Sequence, residues 1–327
     1  MQKAKADKTK QIFFANEEQI ISSIIKTDHP FVKINKIINF YEITDVLKGL
    51  YSDLGKTGIP VEKGFKCLLV QFWEDYSDRQ MERATRENIS IRWFCGFGLM
   101  EETPDHTYFC KLRKRIGTDM IIQIFEEINA ILKEHGLYGN VFKFIDASSL
   151  VTKTALWEER DKAIEKGEEE LNNSNVNKYT KDKEAKWGAK GKHNIWFGYK
   201  RHHAVDMRYG LIEKLFVTAA NIPDFRGVRE VCPKQGMVFM DKGYDYQEVD
   251  DILKMNKCHG AILRKKNNKK KNFDLDRWVS GVRMPFEGTF SKLSKRARYI
   301  GLSKVAMQCF MEAICHNLRK AIRYLPT

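Results

Sequence analysis

Asp146 follows the β-prone run Val141-Phe-Lys-Phe-Ile145, and Asp241 follows Met237-Val-Phe-Met240 just before Lys242-Gly243. Glu287 lies beside Phe286, Phe290 and Leu293, which fall on one helical face, with Pro285 suited to the first turn of that helix. An acid at the end of a buried strand is a rigidly placed oxygen ligand. Hard cations such as Mg²⁺ require such ligands in near-octahedral geometry. Carboxylates gathered in one place repel one another, and divalent cations relieve that repulsion. Two ions roughly 3.5–4 Å apart activate an attacking water or 3′-hydroxyl and stabilise the leaving oxygen of a phosphodiester. Each acid also has a structural reading. Asp241-Lys-Gly243 is a good turn, Asp146 suits a cap at a loop start, and Glu287 could pair with Arg283 one helical turn earlier.

Positioning these acids calls for a sheet with helices packed on it. Residues 1–139 read as mainly helical. Ile121, Ile124, Phe125, Ile128, Ile131 and Leu132 recur at three- and four-residue steps with Gly136 as a stop, and Phe65, Leu68, Leu69, Phe72 and Trp73 form a second stripe. Arg79, Arg83, Arg86, Arg92, Lys111, Arg113, Lys114 and Arg115 spread positive charge between them, as in short helices that dock on DNA. Residues 140–327 change character. Strands are expected at 141–145, 195–206, 211–219, 237–240 and 260–263, and helices at 245–255 and 303–323. The charged stretch 158–192, with Glu168-Glu-Glu170 and Asn172-Asn-Ser-Asn175, reads as an exposed insertion or long loop. His202 and His203 read as a strand alternating between core and solvent, and Asp206, Asp224 and Asp245 compete with the main acids for catalytic roles.

The formal charge of +14 points to polyanionic partners. Part of it is local. Lys265, Lys266, Lys269 and Lys271 precede Glu287, and Lys292, Lys295, Arg296 and Arg298 follow it, where they could hold phosphates without reading sequence. No apolar run approaches the ~20 residues of a membrane span. The seven cysteines are scattered without a C-x-x-C pair, and Cys258-His259 has no second ligand pair at finger spacing. With no secretory signal at the start, a cytoplasmic, nucleoid-associated protein with reduced thiols is expected.

Phe144-Ile-Asp146-Ala-Ser148, Asp241-Lys-Gly-Tyr244 and Arg283-x-x-x-Glu287-Gly-Thr-Phe290 resemble the three motifs of bacterial insertion-sequence transposases with a DDE triad. The likeness is greatest to the superfamily of the insertion-sequence-four and insertion-sequence-five families, the latter most of all. It extends to Arg92-Trp-Phe94, Pro104-Asp-His-Thr107, Val217-Thr-Ala-Ala-Asn221 with Asp224, Arg298-Tyr-Ile-Gly301-Leu302 and Asn317-Leu318-Arg319, in order along the chain. Two positions depart from the pattern: Ser280 stands where a Tyr is common, and Ser294 where a Lys is expected, with Lys292 and Lys295 nearby.

The resemblance implies an α/β fold: an RNase H-like core, a mixed five-stranded sheet flanked by helices, behind an all-α N-terminal DNA-binding domain. It implies two Mg²⁺ ions per site, replaceable by Mn²⁺, with Asp146 bridging both and Asp241 and Glu287 completing one each. It also implies metal-dependent cleavage at transposon ends and transfer of the 3′-hydroxyl into target DNA, by a homodimer or larger assembly on double-stranded DNA. Arg283, Lys265, Lys266, Lys292, Lys295 and Arg298 are the residues expected at phosphates. The competing expectation is a non-catalytic DNA-binding protein or repressor derived from a transposase.

Overall fold

The computed structural model describes residues 15–51, 58–153, 156–191, 194–269, 271–288 and 293–325, apart from a few side chains including that of Glu287. The chain forms two compact units, Met1–His135 with Asn317–Thr327, and Gly136–His316.

The first unit is helical: α1 (Ala15–Ile24), α2 (Pro30–Ile37), α3 (Phe40–Ile43), α4 (Val61–Trp73), α5 (Asp78–Glu87), α6 (Ile89–Phe94) and α7 (His106–Glu134). Local chemistry sets these boundaries. Ser77 and Gln80 form a reciprocal capping box on α5, and the Asp105 carboxylate accepts the Tyr108 N–H at the start of α7. Helix α4 is buried along nearly its whole length. Gly64 is there because a Cβ would fall 2.4 Å from the Tyr108 hydroxyl of α7. On α5, Met81 and Thr85 face inward while Arg79, Arg83 and Arg86 are exposed. Two of the expected surface cations instead hold the unit together. Arg92 is buried and donates to the Gly98 and Glu101 carbonyls, and Arg113 forks onto Asp78 at 2.8 and 2.6 Å.

The second unit contains a sheet of six strands: β1 (Phe142–Val151), β2 (Lys186–Lys190), β3 (Asn194–Asp206), β4 (Leu211–Ala219), β5 (Gly236–Met240) and β6 (Cys258–Ile262). Helices α8 (Trp157–Glu165), α9 (Val176–Tyr179), α10 (Val228–Val231), α11 (Gln247–Met255) and α12 (Phe273–Glu287) lie between or after them, and α13 (Leu302–Tyr324) is divided between the units at Asn317. The order is β2-β3-β1-β5-β6, with β4 also on β3. The pairing is antiparallel from β2 to β1 and between β3 and β4, and parallel from β1 to β6. Without β2 this is a mixed five-stranded RNase H-like sheet, and β2 is a sixth strand supplied by the insertion. At Gly198 (φ 155°), a Cβ would lie 2.1 Å from the Leu150 carbonyl oxygen.

Four sequence expectations need correction. Strand β1 does not stop before Asp146; it runs to Val151, because β3 is long enough to pair with it as far as Gly198. The stretch 158–191 is largely exposed, as an insertion would be, but it is no irregular loop: it forms most of α8, and α9 and β2, with the fully buried Asp182 accepting bonds from the Thr152 and Tyr199 hydroxyls. His202 and His203 are both buried, since β3 is covered on both faces. Pro285 does not open a helix: α12 starts at an Asn272 cap and reaches Glu287 as its last residue. Among the described residues, no helix is long and apolar enough to cross a membrane.

Candidate active site

The parallel register of β1 and β5 pairs Phe144 with Phe239. Two residues further along stand Asp146, within β1 and by the two-residue period of a strand on the face of Phe144, and Asp241, in the turn just after β5. Helix α12 covers that face: Trp278 packs on Phe239 with ring centroids 5.5 Å apart, and the Arg283 guanidinium lies 5.3 Å from the Phe144 ring centre. Arg283 is buried and its Nη1 comes 3.7 Å from Asp241 Oδ1, so it pairs with that aspartate. Glu287 ends the same helix four residues on, and its side chain lies outside the described residues.

The two aspartates differ in their surroundings. Asp241 is partly exposed and caps a short turn, accepting the Lys242 N–H at 2.6 Å. Asp146 is mostly enclosed. Burial pushes its pKa up to about 6, against the opposing pull of Lys190, the Ala147 N–H and Arg283, while the charge of Asp224 adds to the rise. Among the described residues its carboxylate accepts a single hydrogen bond, from Ala147 N–H at 2.8 Å.

The competing acids separate cleanly. Asp206 is fully buried and accepts from Lys143 Nζ and the Gly139, Asn140 and Arg208 N–H groups. Asp245 is held by Arg264, Asn268 and the Lys265 N–H. Both are structural. Asp224 pairs with Lys200 at 2.7 Å, and its charge adds to the rise at Asp146. A cavity of about 250 Å³ opens beside Ala147, lined by Lys190, Lys200, Trp196 and Asp224 among others. Lys190 and Lys200 were missed in the sequence, the first because its strand lies in the charged insertion and the second because one Lys in a β-prone run carries no signal.

The expected phosphate contacts are scattered. Lys266 and Lys295 are exposed. Lys265 has its ammonium 3.6 Å over the Tyr246 ring and bonded to the Asp245 carbonyl. Arg298 is half-buried, and Lys292 lies outside the described residues. The segment after Glu287 rejoins the sheet by bonds between Val151 and both Lys295 and Ala297. Among the described residues, no three His, Cys, Asp or Glu side chains form a metal-holding group.

A mixed sheet with aspartates on its first strand and just after the fourth strand of its core, covered by a helix ending in a glutamate, defines a DDE-type nucleic-acid-processing domain. The chain belongs to the DDE transposases: the Transposase DDE domain family model matches residues 141–318, and Transposase domain (DUF772) matches 19–115. The chain is also similar to the transposase for insertion sequence element IS1106 of Neisseria meningitidis serogroup B. That relative is 33% identical over 236 residues, which is 67% of this chain and 79% of the relative. No solved structure matches the chain.

Proposed function

We propose that this transposase cleaves the DNA backbone at the ends of a mobile element and joins the freed 3′-hydroxyl to target DNA, with Asp146, Asp241 and Glu287 as the metal-holding acids. The observation that carries the reading is the parallel pairing of β1 with β5, two strands that lead to Asp146 and Asp241 beneath the helix that ends at Glu287. The donor set fits a pair of hard divalent cations: all its ligands are carboxylate oxygens, and burial of Asp146 outweighs the opposing pull of Lys190, the Ala147 N–H and Arg283. When bound, Mg²⁺ or Mn²⁺ would supply activation of the attacking oxygen and stabilisation of the leaving one.

The protein's own residues account for the rest. Asp146 is held in place because β1 pairs with β3 along its length and with β5 up to Phe144, and Asp241 because its turn uses it as a cap. Arg283 keeps a buried cation beside the acids, suited to a phosphate oxygen. Lys265, Lys266, Lys292, Lys295 and Arg298 are assigned to phosphate contacts further along the duplex. In this reading residues 1–139 bind the terminal repeats, 140–327 perform the chemistry, and a dimer or larger assembly at the nucleoid joins two ends.

The test uses DNA containing the sequences that flank the chain's own coding region, incubated with Mg²⁺ or Mn²⁺. Wild type should give nicked and joined products, and Asp146→Ala neither. An inert wild type, or an Asp146→Ala variant that cuts equally well, overturns the enzyme reading and leaves a DNA-binding repressor. Cleavage without joined products would leave a metal-dependent nuclease.

A further inference from the structure

Helix α5 has apolar and small polar residues on its inner side, where Met81 and Thr85 are buried, and its charges fall into two groups. Its three acids are all engaged. Asp78 accepts from Gln71 and Arg113, Glu82 accepts the His106 N–H and meets the His106 ring at 2.8 Å, and Glu87 pairs with Arg86. Its arginines are not. Arg79 and Arg83 are exposed, and neither makes a hydrogen bond or ion pair among the described residues. Arg86 meets Glu87 at 2.9 Å with both side chains more than half exposed, a weak pair that can exchange for another anion. Arg79, Arg83 and Arg86 follow one another at steps of four and three, so their guanidinium groups share one stripe of the helix. The fold has thus used the acids of α5 and left a row of cations to solvent.

The stripe is firmly presented. The Ser77–Gln80 capping box closes one end of α5. At the other end the Asn88 N–H bonds to the Ala84 carbonyl, while the Asn88 side chain caps α6. Ten residues of helix span about 15 Å, a length that fits within a major groove roughly 12 Å wide. We infer that α5 is the element with which the helical unit reads DNA, entering the major groove at the element's end. The centre of a helix laid in the groove reaches base edges, and its ends meet the two phosphate backbones. Arg83 therefore takes a base edge, where its fork matches guanine, and Arg79 and Arg86 hold the flanking phosphates. This rests on the assignment of residues 1–139 to the terminal repeats.

The test is fluorescence anisotropy of the full chain without divalent cations, on two duplexes of equal length. One carries the sequence flanking the chain's own coding region and the other a scrambled sequence. Wild type should prefer the first. Arg83→Ala should lose about tenfold in affinity for the first duplex and little for the second, which is the mark of a lost base contact. Arg83→Lys keeps the charge without the fork, so the preference should stay lost. Arg79→Ala should weaken both duplexes to a similar degree. Thermal unfolding midpoints of these variants should match wild type, whereas Arg113→Ala, which removes an internal cation, should unfold earlier. If the Arg79 and Arg83 variants bind both duplexes like wild type, α5 is a solvated face and the inference fails while the assignment of the unit stands. Equal weakening of both duplexes by Arg83→Ala overturns the reading role. A lowered unfolding midpoint for Arg83→Ala also overturns it, because the guanidinium would then belong to the fold. A wild type with no preference removes the assignment to the terminal repeats and the inference with it.

Discussion

The ladder between β1 and β3 carries an aspartate near each of two stations, and they are opposites. At the Lys143–Asp206 pair, an ammonium 2.7 Å away and N–H groups from Gly139, Asn140 and Arg208 surround the carboxylate. At the Asp146–His203 pair, three residues along, burial has pushed the acid up to about 6 against the pull of Lys190 and Arg283, and among the described residues it accepts one hydrogen bond, from the Ala147 N–H. A carboxylate supplied with donors is finished as structure. One enclosed without them is costly to hold as an anion unless positive charge arrives. The contrast favours the Asp146 end of the ladder as the proposed site more sharply than acidity or burial alone.

Exchanging amide for acid at the two stations should therefore break different things. Asp146→Asn should reduce Mg²⁺-dependent cleavage by about a thousandfold or more, several kcal/mol of lost transition-state stabilisation. Its fold should survive. Asp206→Asn should instead cost about 3–5 kcal/mol of folding stability in urea, because Lys143 and the backbone donors lose a buried anion. An Asp206→Asn protein that unfolds like wild type would erase the distinction.

A smaller effect has the opposite sign. An acid whose folded pKa is raised stabilises the fold at low pH and loses that contribution as pH rises from the ordinary carboxylate value to the folded one. For Asp146 the window runs from roughly pH 4 to about 6, so metal-free Asp146→Asn should be more stable than wild type at pH 7, by up to about 3 kcal/mol before solvent screening reduces it. Asp78 in the helical unit shows the reverse. Burial would raise it, but hydrogen bonds from Arg113 and Gln71 and the Arg113 charge outweigh that and hold it below the usual range. Its contribution is present above the unfolded carboxylate value and is lost as pH falls through the lower folded one. Urea midpoints of Asp146→Asn and Asp78→Asn across pH should diverge from wild type in different windows, and parallel curves would sink the assignment.

What the sequence disclosed follows the same division. Strand periods and flanking turns located β3 to β6, α11 and α13 within a few residues, because apolar spacing is a local signal. Asp146 and Asp241 could be picked out as acids beside β-prone runs, but the pairing of β1 with β5 that makes those runs neighbours is a property of the sheet, which no spacing within either strand encodes. The helices and strand within the insertion were not legible because apolar spacing is sparse there and the buried Asp182 finds partners outside it, such as Tyr199. Pro285 suggested a helix start because proline usually marks one, whereas α12 is already capped at Asn272 and proline sits in its last turn. Asp224 looked like one competitor among three until its pairing with Lys200 and its influence on Asp146 set it apart from Asp206 and Asp245.

The basic strip offers the smallest and most graded version of the comparison, since it too contains satisfied and unsatisfied charges. Lys266 and Lys295 are exposed, whereas the Lys265 ammonium is stacked on Tyr246 and bonded to the Asp245 carbonyl. A lysine that meets a phosphate releases counterions and contributes about 0.9 to the slope of log affinity against log salt. Lys266→Ala and Lys295→Ala should each lower that slope by about that amount on any duplex, with little change in sequence preference. Lys265→Ala should change it less and should lower the urea midpoint instead, because its charge already has a partner within the fold. Binding measured by fluorescence anisotropy between roughly 50 and 200 mM salt resolves such slopes. If all three variants give the wild-type slope, the strip is a solvated surface and the DNA path must be sought elsewhere on the chain.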